Sequence, residues 1–385
     1  ALLTACPAAP GGSADGDADL GAGDLRPVAD LAPAWRVPTC AAVAGPPFFT
    51  LSADRGVTLL PSRDQLPASA FSFGLVATDR VDTLVGASGQ GLYISRDAGC
   101  TYQELAQVPE LRDIVRLTAA PGGVVYAYSL ADSSAVRVTV DGQRQVLRLP
   151  VPQIRSLAVA RGSAEELAVS DGQTGQIYRS SDGGQRWTAS GSPPPGAGLL
   201  YFVSFDPAAL DHAVVGTAAP TQGPNRAGLQ VTRDGGRTWV QGTPLGDAQG
   251  HAINLFYGLV HDTDGERVWL LGIDLAEAGN RARHLYLSRD GGLRFQPVVS
   301  GADPGVTLTN GTPLFSPPGT PDQLYFTFSD TLQQGTTTLW RYQASDGAIE
   351  AHTHLYAQTG ELRALAFHPQ RPEILYAART FQRIR

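Results

Sequence analysis

Short runs of alternating apolar and polar residues fill most of this chain, and turns rich in Asp and Gly cut the runs apart. Alternation with period two puts every second side chain on one face of a strand, so the pattern predicts half-buried β-strands. The clearest unit is Leu229-Gln230-Val231-Thr232, which leads through Arg233-Asp234-Gly235-Gly236-Arg237-Thr238 to Trp239-Val240. It predicts a β-hairpin. The glycines accept positive φ, the Asp side chain accepts backbone N–H bonds within the turn, and the aromatic ring covers apolar surface beside it.

The same frame recurs around Asp97, Asp182 and Asp290, with Tyr102, Trp187 and Phe295 at the position of Trp239, and in reduced form at Asp54, Asp141 and Asp346. Successive Asp positions lie 41 to 56 residues apart, the period of four-stranded propeller blades. Two apolar runs precede each later turn: Phe71 to Thr78 with Val81 to Val85, Ile114 to Ala119 with Val124 to Tyr128, and Ile154 to Ala160 with Glu166 to Val169. Leu199 to Phe205 with His212 to Val215, Ile253 to His261 with Arg267 to Leu271, and Val306 to Phe315 with Gln323 to Phe328 continue the series. The first turn has flanking strands, Phe48 to Leu51 and Val57 to Leu60, but no inner pair. Leu362 to Phe367 and Ile374 to Ala378 are strands with no strong turn after them. The expected fold is therefore all-β: a seven-bladed β-propeller of four-stranded antiparallel blades, closed by pairing of N- and C-terminal strands, which removes open sheet edges. No helix is predicted.

The frame Ser/Thr-x-Asp-x-Gly-x-x-Trp/Phe resembles the Asp-box, or BNR repeat, of sialidases, sortilin-type receptors, some glucanases and photosystem II assembly factors, over about residues 48 to 385. The resemblance implies a structural role for Asp54, Asp97, Asp141, Asp182, Trp187, Asp234, Trp239, Asp290, Phe295 and Asp346, with the boxes on the rim away from the functional face. It does not fix an activity.

Composition narrows the functions. The 385 residues carry a formal net charge of −7 with a pI of about 5.5, so no basic footprint for nucleic acid is present. All 29 cationic residues are Arg, and without Lys there is neither a Schiff base nor a Walker-type phosphate loop. No run approaches the roughly 20 apolar residues of a membrane helix. Leu3-Thr4-Ala5-Cys6 resembles the lipobox of bacterial lipoproteins, which makes residues 1–6 a signal-peptide remnant and Cys6 a lipidation site. Residues 7–34 read as a flexible acidic tether, and 35–385 as the ring. Pro7 after Cys6 implies the outer membrane of a bacterial cell envelope, with membrane contact through the lipid alone. Cys40 and Cys100 then remain as an even pair in an oxidising compartment. They lie near the first two turns of neighbouring blades, where a disulfide can form.

The inner strand of each blade meets the central channel, and its first residues fall on the face opposite the box turns. Arg155, Arg363, His251 and Asn254 belong there, with Arg116 nearby. The long connections of the second half, among them Ala218 to Ala227, Gly242 to Gly250 and Asp274 to Arg283 with its Arg281 and Arg283, lie on the same face. Converging guanidinium groups suit a carboxylate or phosphate ligand; the competing reading is ordinary solvated Arg. His352 and His354 share a strand face near Glu350, but nothing further completes a metal site, and no metal or other cofactor is expected. The Phe/Tyr-Arg-Ile-Pro motif of sialidases does not occur. The expectation is a lipid-anchored, extracytoplasmic, monomeric propeller that acts as a binding or assembly scaffold for a protein or glycan partner through its loop-rich face. A sialidase-like glycoside hydrolase and a structural subunit of an envelope complex are the alternatives.

Overall fold

In a computed structural model, residues 34–41, 48–63, 66, 74–111, 115–130, 132–195, 200–218, 227–243, 255–262, 265–274, 277–330, 336–355 and 361–380 are described. Cys6, nearly all of the 7–34 segment, His251, Asn254 and most of the long connections lie outside them.

Seven four-stranded antiparallel sheets follow one another around a ring. Blade 1 comprises Leu75–Ala77, Leu84–Ser88, Gly91–Ser95 and Gln103–Gln107, and blade 2 comprises Val115–Ala120, Val124–Ser129, Ser134–Thr139 and Arg144–Arg148. Blade 3 runs Ile154–Val159, Leu167–Asp171, Ile177–Ser180 and Thr188–Ser190; blade 4 runs Leu200–Phe205, Ala213–Ala218, Ala227–Thr232 and Val240–Gln241. Blade 5 holds Leu255–His261, Val268–Ile273, Arg283–Ser288 and Gln296–Ser300, and blade 6 holds Leu314–Phe315, Gln323–Asp330, Thr336–Gln343 and Ala348–Leu355. Blade 7 is shared between the chain ends: Glu361–His368 and Arg371–Thr380 supply its inner half, Phe49–Ser52 and Leu60–Pro61 its outer half. Phe49 pairs with Ala378 and Ser52 with Leu375, so the ring closes by the expected exchange of terminal strands.

Blades stack face to face, and that explains the core. The second and third strands are covered on both faces, so Val124–Ser129 and Val268–Ile273 are buried throughout and read as continuous apolar runs. Outer strands such as Gln103–Gln107 are polar and mostly exposed. Each interface between neighbouring blades has its own apolar cluster; Val85, Leu92 and Ile94 of blade 1, for example, meet Val115, Val125 and Val136 of blade 2.

Five of the recurring turns share one hydrogen-bond network. At Asp97, the Ser95 hydroxyl donates to the carboxylate (2.8 Å) and accepts the Gly99 amide (2.8 Å), while the carboxylate accepts both the amide and the hydroxyl of Thr101. Asp54, Asp182, Asp234 and Asp290 repeat this Ser/Thr–Asp–Gly arrangement. The Gly two residues after each Asp has φ between 89° and 93°. Trp239 donates its indole N–H to the Ser192 carbonyl (3.0 Å), tying the turn to the neighbouring blade. The other two turns keep less of the network. At Asp141 the Thr139 Oγ1 still accepts the Gln143 amide, the counterpart of the Gly99–Ser95 bond. At Asp346, Ala344 replaces the hydroxyl residue and the carboxylate accepts the Ala348 amide. The position two after the Asp, Gly in all five networked turns, is Gln143 and Ala348 here.

Two expectations are corrected. The inner strand of blade 6 is only Leu314–Phe315, not Val306 to Phe315. The Asn280 side chain donates to the carbonyls of Gly301 and Val306 and accepts the Leu308 amide, taking up backbone groups that a ladder would use. Asn280 itself lies in the second departure, a single 3-10 turn over Gly279–Ala282.

Before the ring, Trp35 to Cys40 forms a strap. The Trp35 amide donates to Gln370 Oε1 (3.1 Å) and its ring meets His368 edge-on, the Arg36 guanidinium pairs with Asp82, and Cys40 is bridged to Cys100 with a Cα–Cα distance of 5.1 Å. The strap thus touches both sides of the junction between blades 7 and 1.

Candidate functional site at the central channel

The inner strands enclose a cavity of about 900 Å³. What they place at its mouth follows from register. In blade 3, Ile154 pairs with Asp171 and Ser156 with Ser170, so Arg155 is an extra, bulged residue. Blade 5 repeats the irregularity, with Tyr257 between Phe256 (opposite Gly272) and Gly258 (opposite Leu271). So does blade 7, with Arg363 between Leu362 (opposite Arg379) and Ala364 (opposite Ala378). A β-bulge turns one side chain away from the ladder, and all three bulged residues line the cavity. Each follows a buried apolar residue, Ile154, Phe256 or Leu362; Arg116 and Phe202 follow Val115 and Tyr201 in the same way.

Arg116, Arg155, Phe202 and Tyr257 therefore come from consecutive blades and form an arc. Arg155 lies over the Phe202 ring, 5.3 Å from its centroid, and the Phe202 and Tyr257 rings are 6.5 Å apart. Burial, and then the charge of neighbouring Arg116, push the Arg155 guanidinium below its ordinary value. Its Nε has no hydrogen-bond partner among the described residues. Among the described residues no carboxylate pairs with Arg116 or Arg155. Arg363, across the channel, is engaged by Glu361 and the Gly311 carbonyl.

Of the site residues expected from sequence, the structure brings Arg155 and Arg363 to the channel. Arg281 is exposed on the 3-10 turn, and Arg283 donates to Asn310 Oδ1 (2.9 Å) and the Gly279 carbonyl; neither lines the cavity. The aromatic half of the arc, Phe202 and Tyr257, was not singled out. Its signal was the shared position after the buried residue that opens each inner strand. His352 lies 3.9 Å from Glu350, His354 bonds the Gly56 carbonyl, and no metal-binding group is found among the described residues.

Farther along the channel, Ser204 accepts the His261 amide and shares a 2.9 Å hydrogen bond with His261 Nδ1. The pair has the composition of an activated serine but not its chemistry. Burial, with the charge of His212 next, pushes His261 down to about 3, and so weak a base does not take a serine proton near neutral pH. The bond ties blade 4 to blade 5.

The fold and its channel define a seven-bladed β-propeller with a mouth half cationic and half aromatic. The chain belongs to the family of the dispase autolysis-inducing protein of Streptomyces mobaraensis, with which it is 38% identical over 356 residues, 90% of each chain. No protein-family model matches the chain. Similar solved structures include a GH74 enzyme from Niastella koreensis (TM-score 0.55, 14% identity, 82% of this chain and 52% of that one), of which this chain spans about half. YCF48 with a D1 peptide bound is similar over 88% of this chain and 99% of its own (TM-score 0.52, 14% identity). A virginiamycin B lyase from Staphylococcus aureus is similar over 87% and 100% (TM-score 0.56, 14% identity). At such identities the likeness is one of fold.

Proposed function

We propose that this chain is a protein-binding propeller that engages a protease and promotes its self-digestion, the role printed in the name of its Streptomyces relative. The observation that carries the reading is the 38% identity spread over 90% of both chains, because identity on that scale covers the blades and the inner strands alike. The channel mouth is the surface we assign to the contact. Its two cations, without carboxylate partners among the described residues, and its adjoining rings are poised for a partner's acidic and apolar groups. The five networked turns are, in this reading, Asp-boxes that brace the opposite rim, and Cys6 carries a lipid that holds the ring at the cell envelope.

The test is to incubate purified dispase with and without the chain and follow the loss of intact protease by electrophoresis. The reading predicts faster loss with the chain, and a smaller effect with Arg155→Ala at unchanged circular dichroism. Equal loss with and without the chain overturns it. For the anchor, the full precursor carrying Cys6→Ala should leave the membrane fraction; a variant still membrane-bound contradicts the lipid assignment.

A further inference from the structure

We propose that the arc of Arg116, Arg155, Phe202 and Tyr257 binds a peptide carboxyl terminus whose last side chain is aromatic or large and aliphatic; the inference rests on the protein-binding reading and names what of the partner is held. The cationic half carries the first part of the argument. Arg116 and Arg155 are close enough for one to disfavour the charge of the other, and Arg155 is partly withdrawn from water without a counter-ion among the described residues. Arg116 is exposed and Arg155 half-buried, and a like charge beside the half-buried guanidinium is unfavourable unless an anion joins them. A carboxylate bridging the two guanidiniums would supply charge-assisted hydrogen bonds, including one for the unpartnered Arg155 Nε.

The aromatic half supplies the rest. Phe202 and Tyr257 continue the arc from the two arginines, both half-buried, with rings tilted 47° to each other and Leu314 beyond them on the cavity wall. The Phe202 ring is shared, because Arg155 covers it from one side, which fixes the guanidinium through a cation–π contact. An anion held by the arginines thus lies beside an apolar surface one side chain wide. An inorganic phosphate has nothing to place there. A C-terminal residue has both parts on neighbouring atoms, and as a chain end it enters a channel without having to leave again. Arg155 and Tyr257 reach the mouth as bulged residues, whereas Arg116 and Phe202 reach it in regular register, opposite Tyr128 and Gly216.

The experiment is calorimetric titration of the full chain with N-acetyl-leucyl-phenylalanine bearing a free carboxylate, with its C-terminal amide, with N-acetyl-glycyl-glycine and with inorganic phosphate. The acid should bind at least about tenfold more tightly than the amide or the glycyl peptide, a difference of about 1.4 kcal/mol. Phosphate should not displace it at equal concentration. Arg155→Gln should lose about tenfold for the acid alone, Phe202→Leu should weaken the aromatic peptide while keeping the fold, and Arg281→Gln should change nothing. Equal binding of acid and amide, displacement by phosphate, or an unaltered Arg155→Gln variant overturns the site. If dispase self-digestion accelerates while acid and amide bind alike, the carboxylate site is wrong and the protein-binding reading stands. If the acid is selected and self-digestion is unchanged, the site is supported and the autolysis role is wrong.

Discussion

Gly292 has φ near +93°, and a Cβ built there would stand 2.3 Å from Val214 Cγ2 in the neighbouring blade. Backbone conformation and space exclude a side chain together. Gly292→Ala should therefore cost about 2–4 kcal/mol in urea unfolding, from left-handed strain plus overpacking. Gly319, also at positive φ (72°) but with open space around it, should cost about 1 kcal/mol on the same change. Similar losses at the two sites would contradict the packing account. The Asp of each networked turn was legible because three residue types at fixed offsets make the network. For Asp97, burial pushes the carboxyl up, but hydrogen bonds from Thr101 and Ser95 outweigh it and hold it below its ordinary value. For Asp234, the Thr238 amide leads in lowering the carboxyl to about 2.

His261, with His354 and His368, makes the ring sensitive to acid at the same scale. The folded value of His261, near 3, lies below the ordinary 6.5, so the neutral form is favoured by folding and its contribution is complete above pH 6.5. As pH falls from 6.5 toward 3 the unfolded chain takes up the proton first, and stability drops by up to about 1.4 kcal/mol per pH unit. The networked Asp residues add their loss lower, as pH falls below 3.8. Denaturant midpoints measured from pH 7 to 4 should decline for the native chain and decline less steeply for His261→Gln, with His354 and His368 carrying the remainder. Parallel curves would show that His261 does not contribute to the slope.

At the level of elements, hairpins were readable from sequence where turn chemistry and strand period agreed. Inner strands were readable as elements too, apart from that of blade 6. In blades 3, 5 and 7, however, a bulge breaks the period of two and hides which side chain faces the channel. Ile154-Arg155-Ser156 cannot be assigned to channel or core by alternation, since the residue that reaches the channel is the one added to the ladder. Blade 6 was overextended for a different reason. Val306 and Leu308 are buried in the cluster between blades 5 and 6, and their apolar character reads as strand, although Asn280 on the preceding blade holds their backbone. Asn280→Ala leaves those groups without partners and should cost about 2–3 kcal/mol, with faster amide exchange at Leu308. Exchange there no faster than in the native chain would show that burial of Val306 and Leu308 alone fixes the segment.

For the whole molecule, closure depends on one blade assembled from both chain ends, and the strap fastens the adjoining interface. The Cys40–Cys100 bridge spans a sequence separation of 60. A bridge of this kind stabilises by about 2–4 kcal/mol through the unfolded chain. The Cys40→Ser/Cys100→Ser variant should unfold at lower denaturant by that amount under non-reducing conditions, and an unchanged midpoint would mean that the strap contacts suffice. The ring was legible because its period and its unpaired ends are sequence features. The arc at the mouth was only partly so. Arg155 and Arg363 stood out by charge, whereas Phe202 and Tyr257 look like any other strand aromatics until seven blades bring their inner strands together.

Which face the partner meets is the claim on which the functional account depends, and amide hydrogen exchange of the chain with and without saturating dispase tests it most directly. The account predicts new protection at the starts of the inner strands, residues 115–118, 154–157, 200–203 and 255–258, with the turns at Asp97, Asp182, Asp234 and Asp290 unchanged. Protection confined to those turns, with the inner strands unaltered, would contradict it.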